Sequence, residues 1–133
     1  MIYSATENEV DLSYLYSPIN ASLHTKSFAS TKEGKHFCMP KVISDTDMIA
    51  LTPKDEVASI ANILKPDKFG IKTLNDEYSI QIPKEKIDLI ICPLTAYDDE
   101  NNRVGMGRGY YDRFLADFEG TKIGVGFSCQ RMD

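Results

Sequence analysis

The residues best equipped for chemistry lie in one run, Arg103-Val104-Gly105-Met106-Gly107-Arg108-Gly109-Tyr110-Tyr111-Asp112-Arg113. Glycines at 105, 107 and 109 let a backbone approach a ligand closely and turn its N–H groups inward. Arg103, Arg108 and Arg113 gather positive charge in a chain whose 15 Lys and Arg are outnumbered by 20 Asp and Glu. A helix expected from Tyr110 would add its positive N-terminal end. A loop of this kind suits phosphate. It is not a Walker A loop, because no Gly-Lys-Ser/Thr follows, and its glycine spacing is not that of the dinucleotide fingerprint. Taken alone, it is equally compatible with a tight strand-to-helix connection bearing surface arginines. The complete string is more specific. Three glycines at fixed places arise by chance about 3 times in 10,000, and adding Arg, Tyr, Tyr, Asp and Arg brings this to roughly 1 in 10 billion per window.

Strands and helices must position this run. Ile87 to Cys92 is the strongest strand, a nearly continuous apolar stretch of the kind a central strand covered on both faces requires. A polar loop, Tyr97 to Arg103, leads to the glycines. Tyr110 to Phe118 then reads as a helix, with Tyr111, Phe114, Leu115 and Phe118 on one side and Gly120 ending it. Lys122 to Ser128 is a second buried strand in which Gly124 and Gly126 permit close approach of a neighbour.

Upstream, Ile2 and Tyr3 are strand-like, as a short edge strand or as the end of an element begun earlier. Ser17-Pro18 is a helix start, followed by Ile19, Leu23 and Phe28 and closed by Gly34. His36 to Val42 and Met48 to Leu51 are strand candidates. Thr52-Pro53 starts another helix, with Val57, Ile60, Ala61 and Leu64 on one face and Pro66 as its stop. Phe69-Gly70-Ile71 is a turn with apolar anchors. Tyr78, Ile80 and Ile82 alternate as in a half-buried strand. The alternation of strands and helices predicts a single α/β domain over 1–133, with a mainly parallel central sheet flanked by helices in an α/β/α layering.

The balance of the chain excludes several classes. With 133 residues, 42% hydrophobic and 26% charged, it is an ordinary globular composition rather than a disordered or disulfide-dense one. A net charge of −5 argues against general nucleic-acid binding, which needs a basic face. Its most apolar stretch is far shorter than the roughly 20 residues that span a bilayer. The opening Met1-Ile2-Tyr3-Ser4 has no basic region before an apolar core, so no signal peptide is expected. Cys38, Cys92 and Cys129 are odd in number and far apart, which predicts reduced thiols in a cytoplasmic protein.

The run resembles the signature of the 5-formyltetrahydrofolate cyclo-ligase family, Pro-x-x-Ala-Phe-Asp-x-x-Gly-x-Arg-Leu-Gly-x-Gly-x-Gly-Tyr-Tyr-Asp-Arg. Here it begins Pro93-Leu94-Thr95-Ala96-Tyr97-Asp98-Asp99-Glu100-Asn101-Asn102-Arg103-Val104-Gly105. Tyr97 and Val104 are mild changes. Asn101 replaces a glycine, and Asn is the next best residue for a left-handed turn. Weaker likenesses extend the match: Tyr3 to Val10, which ends in Glu-Val; Lys35 to Val42; Phe69-Gly70-Ile71, although Thr73-Leu74 stands where Glu-Pro is usual; and Gln130. The resemblance covers about residues 2 to 130. It also implies flanks that this sequence does not contain: an N-terminal helix whose Lys and Arg touch the nucleotide, and a second acidic metal contact beyond Asp133. A sheet lacking such flanks is expected to self-associate or to be completed by a partner chain.

The resemblance implies an ATP- and Mg²⁺-dependent conversion of 5-formyltetrahydrofolate to 5,10-methenyltetrahydrofolate, with release of ADP and phosphate. Arg103, Val104, Gly105, Met106, Gly107, Arg108, Gly109, Tyr110 and Tyr111 would wrap the nucleotide. Arg108 would stabilise charge on the moving phosphoryl group; otherwise it is a solvated loop arginine. Glu9, with Met106, Gly107, Arg108, Gly109 and Tyr110, would contact the folate; otherwise Glu9 caps a turn. Asp112 would bind Mg²⁺; otherwise it complements a helix dipole. Tyr110 and Tyr111 could equally be core anchors, and His24 and His36 match no site. The alternative is a non-catalytic or split ATP- or folate-binding remnant.

Overall fold

The computed structural model describes residues 1–15, 36–54 and 60–132. The helix expected from Ser17 to Gly34, including His24, lies outside them, as does the start of the helix expected after Thr52.

Three strands form an antiparallel sheet: β1 (Met39–Val42), β2 (Met48–Pro53) and, further on, β5 (Ser79–Ile82), in the order β1-β2-β5. Met39 faces Leu51 and Val42 faces Met48, so the turn at 43–47 closes a hairpin. Such a short connection can join only antiparallel neighbours. The period of two then divides the side chains. Met39 and Leu51 enter one core cluster with Ile2, Phe37, Ile60, Ile63 and Leu74. Cys38 and Ala50 enter a second cluster with Ile87, Ile90, Cys92 and Phe118. The sheet therefore carries a core on each face.

A second hairpin, β3 (Leu64–Pro66) with β4 (Lys72–Leu74), is closed by a turn through Gly70, whose φ of 79° favours glycine. This corrects the helix expected over Val57 to Leu64 from Ile60 onward, residues 55–59 lying outside the described ones. Ile60–Ile63 is a 3-10 helix and Leu64 already pairs with Leu74. A spacing of three places Ile60 and Ile63 on the same side of a 3-10 turn, and both are buried.

The run singled out above is framed by β6 (Leu89–Pro93) and β9 (Thr121–Val125), which pair in parallel from Leu89↔Thr121 to Pro93↔Val125. Between them lie the short antiparallel pair β7 (Ala96–Tyr97) and β8 (Arg103–Val104), the glycine-rich loop and the helix α1 (Tyr110–Leu115). Residues 1–4 bridge the two sheets. The Ile2 N–H donates to Cys38 O at 2.9 Å, and Met1 O accepts from the Ile91 N–H at 2.9 Å. Ile2 and Tyr3 are thus buried between strands rather than at an edge.

The expectation of a mainly parallel sheet needs correction for the described residues. Only β6 and β9 pair in parallel as strands, with one isolated parallel bridge between Tyr97 and Arg131; every other strand pair is antiparallel. Burial also differs. Leu89 and Ile123 are 38% and 41% exposed, so the parallel pair is not covered on both faces by described residues. The alternation expected over Tyr78, Ile80 and Ile82 is kept only in part: Ile82 packs against the second core cluster, but Tyr78 and Ile80 are exposed, while Ser79 is buried and donates through Oγ to Asn75 O at 2.8 Å. Helix α1 stops at Leu115, three residues short of the expected end. Asn101 does take the left-handed conformation expected of it, with φ 66°. None of Cys38, Cys92 and Cys129 is in a disulfide. No helix among the described residues is long and apolar enough to cross a membrane.

Gly120, read as a helix stop, has a steric reason to be glycine. A Cβ there would stand 2.4 Å from Phe118 Cζ and 2.6 Å from the Asp88 carbonyl oxygen. The backbone oxygen cannot swing aside, because it accepts from the Thr121 N–H at 2.9 Å where β9 begins. Gly120→Ala should therefore lose about 1–3 kcal/mol, the usual cost of overpacking. Urea denaturation measures this, and an unchanged midpoint would contradict the packing described.

Candidate functional site

The glycine-rich loop borders a cleft of about 440 Å³. Its wall includes Glu9, Arg103, Gly105, Met106, Arg108, Gly109, Tyr110, Tyr111 and Asp112, so nine of the residues singled out in the sequence converge on one space. Val104 and Gly107 do not line it. Val104 belongs to β8 and is half exposed. Gly107 has φ 89° and no atom within 4 Å of where a Cβ would sit, so its backbone is left open to approach.

The glycines have different reasons. A Cβ on Gly105 would lie 3.1 Å from Arg103 Nη1, and one on Gly109 would lie 2.8 Å from Arg113 Nη1. Gly109 also has φ 68° and stands immediately before α1. Two of the three glycines therefore make room for arginines of the same run, and Gly107 alone presents open backbone.

The three arginines are not equivalent. Arg103 donates through Nη1 to Pro93 O at 2.9 Å, pairs through Nη2 with Asp112 Oδ1, and lies over the Tyr111 ring, 5.6 Å from its centroid. Its side chain is 16% exposed. Arg113 donates through Nε to Thr46 O at 2.7 Å and through Nη2 to Arg108 O at 2.8 Å. The Arg108 side chain has no hydrogen bond or ion pair among the described residues. Its guanidinium rests over the Phe69 ring, 5.1 Å from the centroid, and it is exposed.

Phe69 was read only as an anchor of the Phe-Gly-Ile turn, yet it lines the cleft and its ring stands 6.4 Å from that of Tyr110. The turn that carries it is held by Asp67, whose Oδ1 accepts from the N–H groups of Phe69 and Ile71. Tyr3, Met48 and Leu94 complete much of the apolar wall, and nothing in their spacing could have placed them there. Glu9 caps a turn, accepting from the Thr6 N–H at 2.8 Å through Oε2, and it also lines the cleft. The turn-capping reading of Glu9 thus holds, and the same side chain stands at the cleft wall. The helix end contributes little: α1 has six residues, too few for a substantial dipole.

Tyr111 marks the floor. Its hydroxyl oxygen is buried and has no hydrogen-bond partner among the described residues. Burial pushes the phenol well above the usual tyrosine range; Cys92, Glu9 and Tyr3 add to the push and Arg103 opposes it. Burial also raises the neighbouring Cys92 thiol. Neither group ionises near neutral pH, so nucleophilic or base chemistry does not start from them. What the cleft offers is an apolar slot, an unengaged guanidinium and the three carboxylates of Glu9, Asp67 and Asp112, with the open backbone of Gly107 next to it in the loop.

Fold and cleft together define an α/β chain in which the glycine-rich loop after β8 borders the cleft. A model of the 5-formyltetrahydrofolate cyclo-ligase family matches residues 14–133, and the chain belongs to that family. It is 31% identical over 96 residues to the 5-formyltetrahydrofolate cyclo-ligase of Mycoplasma pneumoniae, covering 71% of this chain and 44% of that one. It is 33% identical over 116 residues to the mitochondrial 5-formyltetrahydrofolate cyclo-ligase of Arabidopsis thaliana, covering 84% and 39%. The NMR structure of the 5,10-methenyltetrahydrofolate synthetase of Aquifex aeolicus is similar with a TM-score of 0.68 at 30% identity, over 98% of this chain and 57% of that one. The synthetase of Mycoplasma pneumoniae gives 0.59 at 25%, over 99% and 62%. The chain thus spans about two fifths of the length of these curated relatives, 44% and 39%.

The Tyr111 hydroxyl generates a prediction with a sign. Because the folded state holds the phenolic proton more tightly, the unfolded state binds fewer protons once pH passes about 10, and stability falls from there upward. Tyr111→Phe should flatten that alkaline loss. At pH 7 it should leave stability unchanged or raise it, because an unpaired buried hydroxyl costs about 1–3 kcal/mol. Urea denaturation at neutral and alkaline pH checks both. A Phe variant clearly less stable at neutral pH would show that the hydroxyl is hydrogen-bonded after all.

Proposed function

We propose that this cleft binds ATP and 5-formyltetrahydrofolate and closes the folate ring to 5,10-methenyltetrahydrofolate, with release of ADP and phosphate. The observation that carries the reading is Arg108. It is the one arginine of the run whose guanidinium is unengaged by protein acceptors among the described residues, and it stands in the cleft beside the open backbone of Gly107. The family, and its cyclo-ligase relatives in Mycoplasma and Arabidopsis, support the choice of reaction.

The chemistry needs little from the protein beyond position and charge. The formyl oxygen of the substrate is a poor leaving group. Transfer of the terminal phosphoryl group of ATP to it makes it a good one and releases ADP. The neighbouring folate N–H nitrogen then attacks the formyl carbon and gives up its proton, the carbon–oxygen bond breaks, and phosphate departs, taking the proton directly or through water. Arg108 faces the charge that builds on the phosphoryl oxygens. The backbone from Val104 to Gly109 follows the phosphates, and Arg103 sets its course from the strand end. The apolar wall of Phe69, Tyr110 and Met106 excludes water and takes the flat part of the folate, with Glu9 as its polar contact. Tyr111 offers its unpaired hydroxyl from the floor.

Mg²⁺ supplies charge neutralisation between phosphate oxygens in reactions of this type. Asp112 fits a part in holding it: its side chain is 63% exposed at the cleft edge, with Oδ1 engaged by Arg103. No group of three acidic, His or Cys side chains suited to a metal occurs among the described residues. A site of one carboxylate completed by phosphate and water is the usual form for this ion. The chain acts in this reading as a single α/β domain in the cytoplasm.

The test is an absorbance assay for methenyltetrahydrofolate with purified chain, Mg-ATP and 5-formyltetrahydrofolate. Turnover is expected, with Arg108→Ala lowering kcat/KM by at least about 100-fold. No turnover in a folded chain that still binds ATP calorimetrically would leave a binding module instead. A second measurement addresses the metal: Asp112→Asn should weaken the Mg²⁺ dependence of ATP affinity, and an undiminished dependence would remove Asp112 from that role.

A further inference from the structure

We infer that the β1–β2 turn at 43–47 is the mount of the glycine-rich loop, and that Arg113 is the positioning residue joining them. The turn is more than 60 residues away in sequence, and nothing in its composition marks it as part of a site.

Two contacts from the start of α1 reach the turn, and a third ties the same guanidinium to the loop. Arg113 Nε donates to Thr46 O at 2.7 Å. The Tyr110 hydroxyl donates to Ser44 O at 3.1 Å. Arg113 Nη2 donates to Arg108 O at 2.8 Å, so a single guanidinium spans from the turn to the backbone of the residue that carries the free arginine. The guanidinium lies over the Tyr110 ring, 5.5 Å from its centroid, which brings the two donors together as one unit. The same group explains the constraint at Gly109, where a Cβ would sit 2.8 Å from Arg113 Nη1. A planar fork with donors fixed in direction can hold two carbonyls at once; an ammonium on a flexible stem cannot do so with equal definition.

The turn is itself braced. Asp47 Oδ2 accepts from Ser44 Oγ at 2.7 Å and from Thr46 Oγ1 at 2.8 Å, while Ser44 Oγ accepts from the Asp47 N–H at 2.9 Å. The Ile43 N–H donates to Asp47 O at 3.0 Å. These bonds orient the Ser44 and Thr46 carbonyls outward to the loop. They cost Asp47 no contact with the cleft, which it does not line. The antiparallel hairpin, built on a buried sheet, thereby becomes the fixed body against which a loop of three glycines is set. Without such a body the glycines would leave Arg108 free to wander, since glycine loses more conformational freedom on ordering than any other residue.

Charge alone gives a different expectation for Arg113, as a cation for phosphate. The two are separable. The inference rests on the proposed cyclo-ligase reading only for its activity readout, so the first measurement is made without ligand. Amide hydrogen exchange of residues 105–109 is compared in the parent, Arg113→Lys, Arg113→Ala and Asp47→Ala chains, with β6 and β9 amides as the internal reference. Both Arg113 variants should exchange at least about tenfold faster across the loop at unchanged protection of β6 and β9. Asp47→Ala, which touches neither loop nor cleft, should act in the same direction more weakly. In the Arg113→Ala background its effect should fall to what the Tyr110 hydroxyl still carries through Ser44 O, because the guanidinium link is gone. Where turnover is present, Arg113→Lys should lower kcat along with the loss of loop protection. Loop exchange unchanged in Arg113→Ala would overturn the inference, and so would an Arg113→Lys chain that matches the parent. Additive effects of the Asp47 and Arg113 changes would overturn the coupling. If the chain proves to have no turnover, the exchange experiment still decides the point.

Discussion

The side chain of Arg103 closes the junction on which the site is built. Its donors reach Pro93 O at the end of β6 and Asp112 in α1, and its plane covers Tyr111. The ion pair is not the main source of hold. Asp112 is 63% exposed, and pairs of that kind contribute about 0–1 kcal/mol. What matters is geometry. A largely buried guanidinium fixes where the strand ends, where the helix begins and where the Tyr111 ring lies, and Gly105 is glycine because that guanidinium passes 3.1 Å from the place of its Cβ. From this junction the loop can only run outward over the cleft.

The far end of the loop is held by a different arginine on a different element. Arg113 and Tyr110 bind carbonyls of the β1–β2 turn, so the two sheets meet across the loop as well as through residues 1–4. A third hold comes from the strand ends. Gln130 accepts from the Phe127 N–H through Oε1 and donates through Nε2 to Leu94 O at 2.8 Å, fastening the segment after β9 to the segment after β6. Leu94 in turn packs where Gly124 and Gly126 leave space. With both ends and the base fixed, the middle of the loop is the part left open, and it is there that Gly107 and Arg108 sit.

The sequence was informative where a local rule decided the outcome. Asn101 adopts the left-handed turn its chemistry allows, the parallel pair forms from the two apolar runs, and the glycines at 124 and 126 meet a close neighbour. It was misleading where tertiary packing overrode local period. Ile60 and Ile63 fit an α-helical face but are buried equally well by a 3-10 turn leading into β3. Tyr78 and Ile80 alternate as core residues do, yet Ser79 takes the inside because its hydroxyl has a carbonyl to meet. The three strands of the β1-β2-β5 sheet were each expected, but not their antiparallel pairing, because pairing is not a local property. Within the candidate site, the run from Arg103 to Asp112 was legible as a unit, but the division of labour among its arginines was not. Three arginines look alike in sequence; only their carbonyl partners separate two that hold the loop from one that faces the cleft. Phe69 became visible as part of the wall only when the turn was placed beside Tyr110.

The central claim is that the middle of the glycine-rich loop is where phosphate is met. Its most direct test is an amide NMR titration of the chain with Mg-ATP, alongside the same titration of Arg108→Ala. The account predicts shifts concentrated on Gly105 to Tyr111, with β5 amides unmoved and the effect much reduced in the variant. Saturating Mg-ATP that leaves those loop amides in place, in a chain whose spectrum shows it folded, would contradict it.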